Sequence, residues 1–240
     1  MTVIKAILFD LDDTLWPIGP VIARAETHMH AWLQQHVPSV AERFSIEALR
    51  ARRLQLLKES PHYRIDMVGL RHAGLLEAFQ HCEADCARVD EAMTVFNRLR
   101  NTVDLYDDVR PVLPRLSSQW LLGTISNGPA DLSAIGLAHH FRASVAAWRF
   151  GCGKPDPKIF HGACELLGVK PQEAVYVGDD PALDVEGAQQ AGLTGIWLDR
   201  EGRHAAGLLP GHIEPDAICA NLYEVEHWLR SAVARTGAHR

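Results

Sequence analysis

Two aspartates separated by a single residue, Asp10 and Asp12, follow the first apolar run of the chain. Alternate residues of an extended chain face the same way, so the two carboxylates leave the strand pointing together. Neighbouring carboxylates repel each other unless they share a proton or a cation. Because Mg²⁺ prefers oxygen ligands, the spacing indicates a metal site. Considered alone, the pair has a simpler explanation, in which the side chain of Asp12 or Asp13 caps the next turn.

A second acidic cluster follows another apolar run near the C-terminal third of the chain. Asp179 and Asp180 come directly after Gly178, and Asp184 follows four residues later. A glycine at such a turn lets the backbone approach a ligand closely. From the residues alone, either Asp179 or Asp180 could hold a metal.

Two further loops carry groups that can bind an anion. The run that ends at Ile125 is followed by Ser126, Asn127 and a glycine, which offer a hydroxyl and loop amides for phosphate oxygens. Lys154 lies on a glycine-rich turn that opens a helix. A capping serine or a solvated lysine would explain each of these two loops separately. No single structural role explains why both loops and both acidic clusters would lie at one edge of the sheet.

The apolar runs that precede these loops predict strands, because runs that are hydrophobic on both faces suit a parallel sheet covered by helices. Amphipathic stretches between them predict helices, so the fold class is an α/β doubly wound parallel sheet. The predicted strands are Val3–Phe9, Trp120–Ile125, Ala174–Val177 and Thr194–Leu198, and the predicted helices are Asp107–Ser117, Asp156–Leu167 and Pro181–Ala191.

The stretch from residue 17 to 103 contains four helical patterns and no convincing strand. Its place after the first strand predicts an inserted all-helical cap domain, residues 17–103, on a core formed by residues 1–16 and 104–240. Such an insert would sit over the carboxyl edge of the sheet, where open α/β sheets bind ligands. Four of its residues could reach an anionic or aromatic substrate, although a charged helix face explains each more simply: Arg24, Tyr63, Arg64 and Arg71.

Composition narrows the classes of function. The 240 residues carry a net charge of −6, which argues against a general nucleic-acid binder. No run approaches the roughly 18–20 apolar residues of a membrane span. The first residues are too short for a signal peptide, and five scattered cysteines fit reduced thiols, so we expect a cytoplasmic protein. Nothing in the sequence sets the oligomeric state.

The four loops resemble the motifs of the haloacid dehalogenase-like (HAD) hydrolase superfamily. These are Asp-x-Asp-x-Thr, a Ser/Thr, a Lys before Pro, and Gly-Asp-(x)4-Asp, in that order, and the resemblance covers residues 1–16 and about 104–235. The runs FDLDDTLW, GPVIARAE and VGDD are similar to those of bacterial phosphatases that act on FMN and on 5-amino-6-(5-phosphoribitylamino)uracil. The insert matches the helical cap of the family.

The resemblance implies a Mg²⁺-dependent phosphomonoester hydrolase that acts on a small phosphorylated metabolite. Asp10 would be the nucleophile that forms an aspartyl phosphate. Asp12 would be the general acid and then the general base. Asp10, the main-chain carbonyl of Asp12 and Asp179 would hold Mg²⁺.

The resemblance also assigns supporting roles. Ser126, Asn127 and Lys154 would bind the phosphoryl oxygens. Asp184 would hold Lys154 or a metal-bound water, and Thr14 would order the loop after the nucleophile.

Several alternatives stay open. FMN or a riboflavin-pathway ribityl phosphate is the first expected substrate, and phosphoglycolate or a sugar phosphate is the second. A 2-haloacid dehalogenase is less favoured, because halide leaves carbon without a proton and such enzymes need neither Asp12 nor a metal. A receiver-like signalling domain would lack the helical insert. A non-catalytic binding protein on this fold would normally lack part of the site.

Overall fold

The computed structural model describes residues 3–205 and 207–237, which divide into two compact units. The core unit contains the chain up to Pro17, Asp104–Asn127 and the chain from Gly136 onward. The cap unit contains Ile18–Val103 together with Gly128–Ile135. The predicted boundaries assign that last segment to the core, so the observed division differs from them there.

The core unit is built on a six-stranded sheet in the order β3-β2-β1-β4-β5-β6, with every neighbouring pair parallel. This order is that of a doubly wound sheet, and the predicted α/β fold class is confirmed. The strands are β1 (Ala6–Phe9), β2 (Leu121–Ser126), β3 (Ala143–Ala146), β4 (Ala174–Gly178), β5 (Thr194–Leu198) and β6 (Ala217–Cys219).

Strand β1 lies at the centre of the sheet, and all four of its residues are buried. Its last residue, Phe9, pairs with Thr124 of β2 on one side and with Val177 of β4 on the other. Because the three strands are parallel and in register, the residues that follow them emerge at one edge of the sheet. That edge carries the candidate site.

The sequence did not predict the strands β3 and β6. Each has only three or four residues, Ser144 interrupts the apolar residues of β3, and Ile218 of β6 is exposed, so neither gives the long apolar run of a buried strand. Their places at the two edges of the sheet explain this pattern, since an edge strand has a neighbour on one side only.

The helices of both units are, in chain order, α1 (Ile18–His36), α2 (Pro38–Arg43), α3 (Ile46–Glu59), α4 (Met67–His81), α5 (Val89–Arg100), α6 (Val109–Ser117), α7 (Leu132–Ile135), α8 (Ala147–Phe150), α9 (Pro157–Leu167), α10 (Gly187–Gln190) and α11 (Leu222–Gly237). Within the described part of the chain, no helix has both the length and the apolar character that crossing a membrane requires.

Local chemistry explains where the helices next to the site begin and end. The side chain of Asp156 accepts a hydrogen bond from the Lys158 amide, Pro157 occupies the first helical position of α9, and Gly168 ends the helix in a left-handed conformation. The predicted helix Pro181–Ala191 is different. It consists of a π-helical turn over Pro181–Glu186 followed by α10.

The cap unit has its own apolar core. Its long helices α1 and α5 pack against each other, and residues of α3 and α4 join the same cluster. The buried members include Met29, Leu33, Leu75, Phe79 and Phe96. Helical periodicity of apolar residues on each helix accounts for this packing.

Candidate active site

Asp10 directly follows the central strand and is held there by the sheet. Its amide donates a 2.9 Å hydrogen bond to the carbonyl of Val177 on β4, continuing the parallel ladder by one residue. Its side chain is only 9% exposed. A buried carboxylate loses hydration, and burial therefore raises the pKa of Asp10 well above its usual value despite the neighbouring lysine.

Lys154 lies against two carboxylates at this edge. Its Nζ is 2.5 Å from Asp10 Oδ1 and 2.6 Å from Asp184 Oδ1, and all three side chains are almost completely buried. Burial alone would lower the pKa of Lys154, but the charges of Asp10 and Asp184 outweigh it and raise the pKa. The lysine is therefore a fixed cation beside the carboxylate of Asp10.

Asn127 fixes the backbone that carries this lysine. Its side-chain amide accepts a 2.8 Å hydrogen bond from the Lys154 N–H and donates a 3.0 Å hydrogen bond to the Lys154 carbonyl. A Cβ on Gly153 would lie 2.6 Å from Asn127 Oδ1, so only glycine allows this approach. The structure thus places the Asn127 side chain on the backbone of Lys154, and the phosphate-binding role of the Asn127 backbone amide stays a prediction.

Asp184 reaches the site over a glycine. A Cβ on Gly178 would lie 2.3 Å from Asp184 Cγ, so the glycine leaves the room that the carboxylate occupies. The second carboxylate oxygen of Asp184 accepts a 2.9 Å hydrogen bond from the Asp180 amide. Asp184 is therefore held from both sides, by Lys154 and by the backbone of the turn.

The neighbouring acids Asp179 and Asp180 have different surroundings. The carboxylate of Asp180 caps the following turn, since Oδ1 accepts 2.9 Å hydrogen bonds from the amides of Ala182 and Leu183. The carboxylate of Asp179 instead faces the site, and Thr14 Oγ1 donates to it at 3.5 Å. This difference supports Asp179 over Asp180 as the metal ligand.

The carboxylates of Asp10, Asp179 and Asp184 each offer an oxygen within 4.8 Å of the others. Burial, followed by the charges of Asp184 and Asp13, raises the pKa of Asp179 to about 7. Crowded, desolvated carboxylates of this kind need a cation, and hard oxygen donors fit Mg²⁺. The donor set is thus compatible with the predicted metal, and Asp184 adds a third carboxylate to the predicted Asp10 and Asp179.

Asp12 is oriented by a residue four positions later. The indole Nε1 of Trp16 donates a 2.9 Å hydrogen bond to Asp12 Oδ1, and the indole itself is fully buried. A fixed indole donor holds the Asp12 carboxylate in one direction as the chain leaves β1. Ser126, at the end of β2, is 4% exposed and belongs to the same sheet edge.

Two arginines of the segment after β5 were not found by sequence reasoning. Arg203 Nη2 donates to the carbonyl of Asp179 at 2.5 Å, and Trp197 Nε1 donates to the same carbonyl at 2.9 Å. Arg200 Nε donates to the carbonyl of Thr14 at 2.8 Å. The sequence feature that could have pointed to these arginines is the charged segment that follows β5, Asp199-Arg200-Glu201-Gly202-Arg203.

Comparisons with known proteins agree with this geometry. The model of a hydrolase family, the haloacid dehalogenase-like hydrolases, matches residues 4–192. The 5-amino-6-(5-phospho-D-ribitylamino)uracil phosphatase YigB of Escherichia coli (strain K12) is 31% identical over 202 residues, covering 82% of this chain and 84% of that protein. A phosphoserine phosphatase of Thermus thermophilus is 31% identical over 255 residues, covering 92% and 97%.

One solved structure that is similar to this chain is named for a different activity. The crystal structure of a 2-haloacid dehalogenase from Pseudomonas syringae pv. Tomato DC3000 matches with a TM-score of 0.87 at 35% identity, covering 95% of this chain and 99% of that chain. The family match spans most of the chain, and the motifs that carried the sequence resemblance surround Asp10. The chain belongs to the haloacid dehalogenase-like hydrolase family.

Proposed function

We propose that this hydrolase is a Mg²⁺-dependent phosphatase that cleaves phosphomonoesters through a phospho-aspartyl intermediate at Asp10. The observation that carries the proposal is the contact of Lys154 with Asp10 and Asp184, next to Asp179 at the carboxyl edge of the sheet. A nucleophilic carboxylate, a fixed cation and a carboxylate set for a divalent ion are the groups that phosphoryl transfer needs.

In the first half-reaction, a carboxylate oxygen of Asp10 attacks phosphorus and the bond from phosphorus to the ester oxygen breaks. Asp12 donates its proton to the leaving alkoxide. In the second half-reaction, Asp12 takes a proton from water, whose oxygen attacks phosphorus and releases Asp10 and inorganic phosphate. The Trp16 indole keeps the Asp12 carboxylate oriented in both steps.

The remaining residues of the site bind and orient the phosphoryl group. Lys154, Ser126 and the Asn127 backbone amide supply a charge and hydrogen-bond donors for its oxygens. Bound by Asp10, the Asp12 carbonyl and Asp179, Mg²⁺ would screen the negative charge of the phosphate from that of the nucleophile. Asp184 acts by holding Lys154.

Relatives support the class of substrate. The 5-amino-6-(5-phospho-D-ribitylamino)uracil phosphatase makes FMN or a riboflavin-pathway ribityl phosphate our first candidate. The phosphoserine phosphatase, and a glyceraldehyde 3-phosphate phosphatase of Methanopyrus kandleri that is 32% identical over 207 residues, support a second candidate class, which includes phosphoglycolate and sugar phosphates.

Dehalogenation is the alternative that the solved 2-haloacid dehalogenase favours. Displacement of halide by a carboxylate requires neither a proton donor for the leaving group nor a divalent cation. Asp12, oriented by Trp16, and Asp179, which faces Asp10 and Asp184, have no function in that reaction. Their presence supports phosphate chemistry.

A substrate panel with and without EDTA tests the proposal. The panel contains FMN, a ribityl phosphate, phosphoserine, phosphoglycolate, sugar phosphates and 2-chloropropionate. We expect phosphate release that requires Mg²⁺ and that is abolished in Asp10→Asn, because an amide is a poor nucleophile. Halide release from 2-chloropropionate that persists in EDTA would instead establish the dehalogenase. Substantial phosphate release by Asp10→Asn would remove Asp10 as the nucleophile.

A further inference from the structure

The cap unit buries a single carboxylate among three guanidinium groups. Glu26, on α1, is 1% exposed. Its Oε2 is 2.5 Å from Arg50 Nε, and its Oε1 contacts Nη2 of Arg53 and, at 3.1 Å, Nη1 of Arg71. Three positive charges therefore face one negative charge, and the cluster has a surplus of two positive charges.

The arginines are held in place by packing as well as by Glu26. The guanidinium of Arg71 lies 3.6 Å from the ring centroid of Phe96 on α5. The stem of Arg53 passes over Gly74 of α4, where an added Cβ would come within 3.2 Å of Arg53 Cγ. Guanidinium groups fixed in this way lose little further conformational entropy when they bind an anion.

Most hydrogen-bond donors of the cluster are still available. A guanidinium has five N–H groups, and each of these arginines donates to Glu26 through one nitrogen. Among the described residues, Glu26 is the only acidic partner of Arg53 and Arg71, and neither has a fully buried nitrogen without a partner. Their other donors therefore reach solvent.

The positive charges of Arg53 and Arg71 are only partly neutralised, because both share the single carboxylate of Glu26. Burial lowers the pKa of Arg71 to about 10, with the charge of Arg53 as the next cause, and burial lowers the pKa of Arg53 as well. A bound anion would reduce the electrostatic repulsion between the guanidinium groups of Arg53 and Arg71. Neighbouring Arg52 on the same helix is different, because it makes a bidentate pair with Glu77 and a contact with Glu59.

We propose that Arg50, Arg53 and Arg71 form an oxyanion-binding site in the cap unit, with Glu26 as the anchor that gathers the three guanidiniums. The site takes a carboxylate, sulfate or phosphate group, since these oxyanions match the donor geometry of guanidinium. The proposed occupant is a free oxyanion of this kind, bound from solution.

Titration with inorganic sulfate tests the site by calorimetry, at low ionic strength and in EDTA. The catalytic site is the same in the wild type and in the cap variants, so any sulfate that it binds contributes equally to each titration. We expect the wild-type protein to bind sulfate, Arg53→Gln to bind it at least about tenfold more weakly, and Arg52→Gln to bind it as the wild type does. Absent binding, or equal binding by Arg53→Gln, would overturn the proposal.

Glu26→Gln separates anion binding from a purely structural role, even if Arg53→Gln fails to fold. Removing the central negative charge raises the surplus charge, so the sulfate affinity should increase. A cluster that only neutralises a buried carboxylate would show a change in stability and no gain in affinity. Unchanged or lost sulfate binding in folded Glu26→Gln would therefore count against the site.

Discussion

At the level of single residues, Asp179 and Asp180 show how two adjacent acids of the same type take different roles. The carboxylate of Asp180 is used by the amides of the following turn. The carboxylate of Asp179 lies within ligand distance of Asp10 and Asp184. Of these two acids, Asp179 is therefore the one that we predict to bind a divalent ion.

This difference predicts opposite effects of two matched substitutions. Asp179→Ala should raise the Mg²⁺ concentration for half-maximal phosphate release by at least about tenfold. Asp180→Ala should leave the Mg²⁺ requirement near that of the wild type and lower the free energy of unfolding by about 1 kcal/mol, because a capping side chain is lost. Mg²⁺ titrations of the rate and urea unfolding measure the two quantities. A higher Mg²⁺ requirement in Asp180→Ala alone would reverse the assignment.

At the level of elements, Arg200 joins three segments of the core unit. Its Nε donates to the Thr14 carbonyl in the loop after β1, and its other nitrogens form a bidentate pair with Asp108 at 3.1 and 3.2 Å. Asp108 also accepts a 2.6 Å hydrogen bond from the Leu222 amide at the start of α11. Both side chains of the pair are less than 10% exposed.

Loss of Arg200 would leave the buried carboxylate of Asp108 without a countercharge. We expect Arg200→Ala to lower the free energy of unfolding by about 3 kcal/mol. Arg115, whose side chain is 43% exposed, pairs with Glu226 and provides the control, because Glu226 keeps a second partner in Arg230. Since the Arg115 charge is solvated and Glu226 is not left without a countercharge, Arg115→Ala should unfold at nearly the wild-type urea concentration. Equal destabilisation by the two substitutions would show that burial of the Arg200 pair has little effect.

The elements also show what the sequence could predict. The strands β1, β2, β4 and β5 were predicted because each is a largely apolar run followed by a small or polar loop. The acids after β1 and β4 were singled out for the same reason, whereas Lys154 was singled out because it lies on a glycine-rich turn that opens a helix. Their catalytic and metal-binding roles stay predictions, since they are assigned by resemblance.

Other features depend on tertiary contacts that no local pattern encodes. The contacts of Arg200 and Arg203 with the site cross 186 and 24 residues of sequence, respectively. The capping role of Asp180 depends on the π-helical turn, which replaces the start of a predicted regular helix. In the cap unit, Arg71 was noted as a residue that could reach a substrate, but its pairing with Glu26 brings together α1 and α4.

At the level of the whole molecule, the crowded carboxylates of Asp10, Asp179 and Asp184 destabilise the folded chain, and a bound cation would offset this effect. The pKa of Asp179 is raised to about 7 from a usual value of 3.8, chiefly by burial. A carboxyl group whose pKa is higher in the folded chain than in the unfolded chain binds more protons when folded. Its contribution to the free energy of unfolding therefore falls as the pH rises between these two values.

Mg²⁺ should consequently stabilise the protein more at pH 8 than at pH 5.5. At pH 5.5 Asp179 is protonated in the folded chain and a proton competes with the metal, whereas at pH 8 the ionised carboxylate is free to bind it. Thermal unfolding in EDTA and in Mg²⁺ at both pH values measures the effect. The side chain in Asp179→Asn cannot ionise, so both the pH dependence of the unfolding temperature in EDTA and the rise in unfolding temperature caused by Mg²⁺ should be smaller in this variant. An equal rise in the wild-type unfolding temperature from Mg²⁺ at both pH values would show that the ionisation of Asp179 is not linked to metal binding.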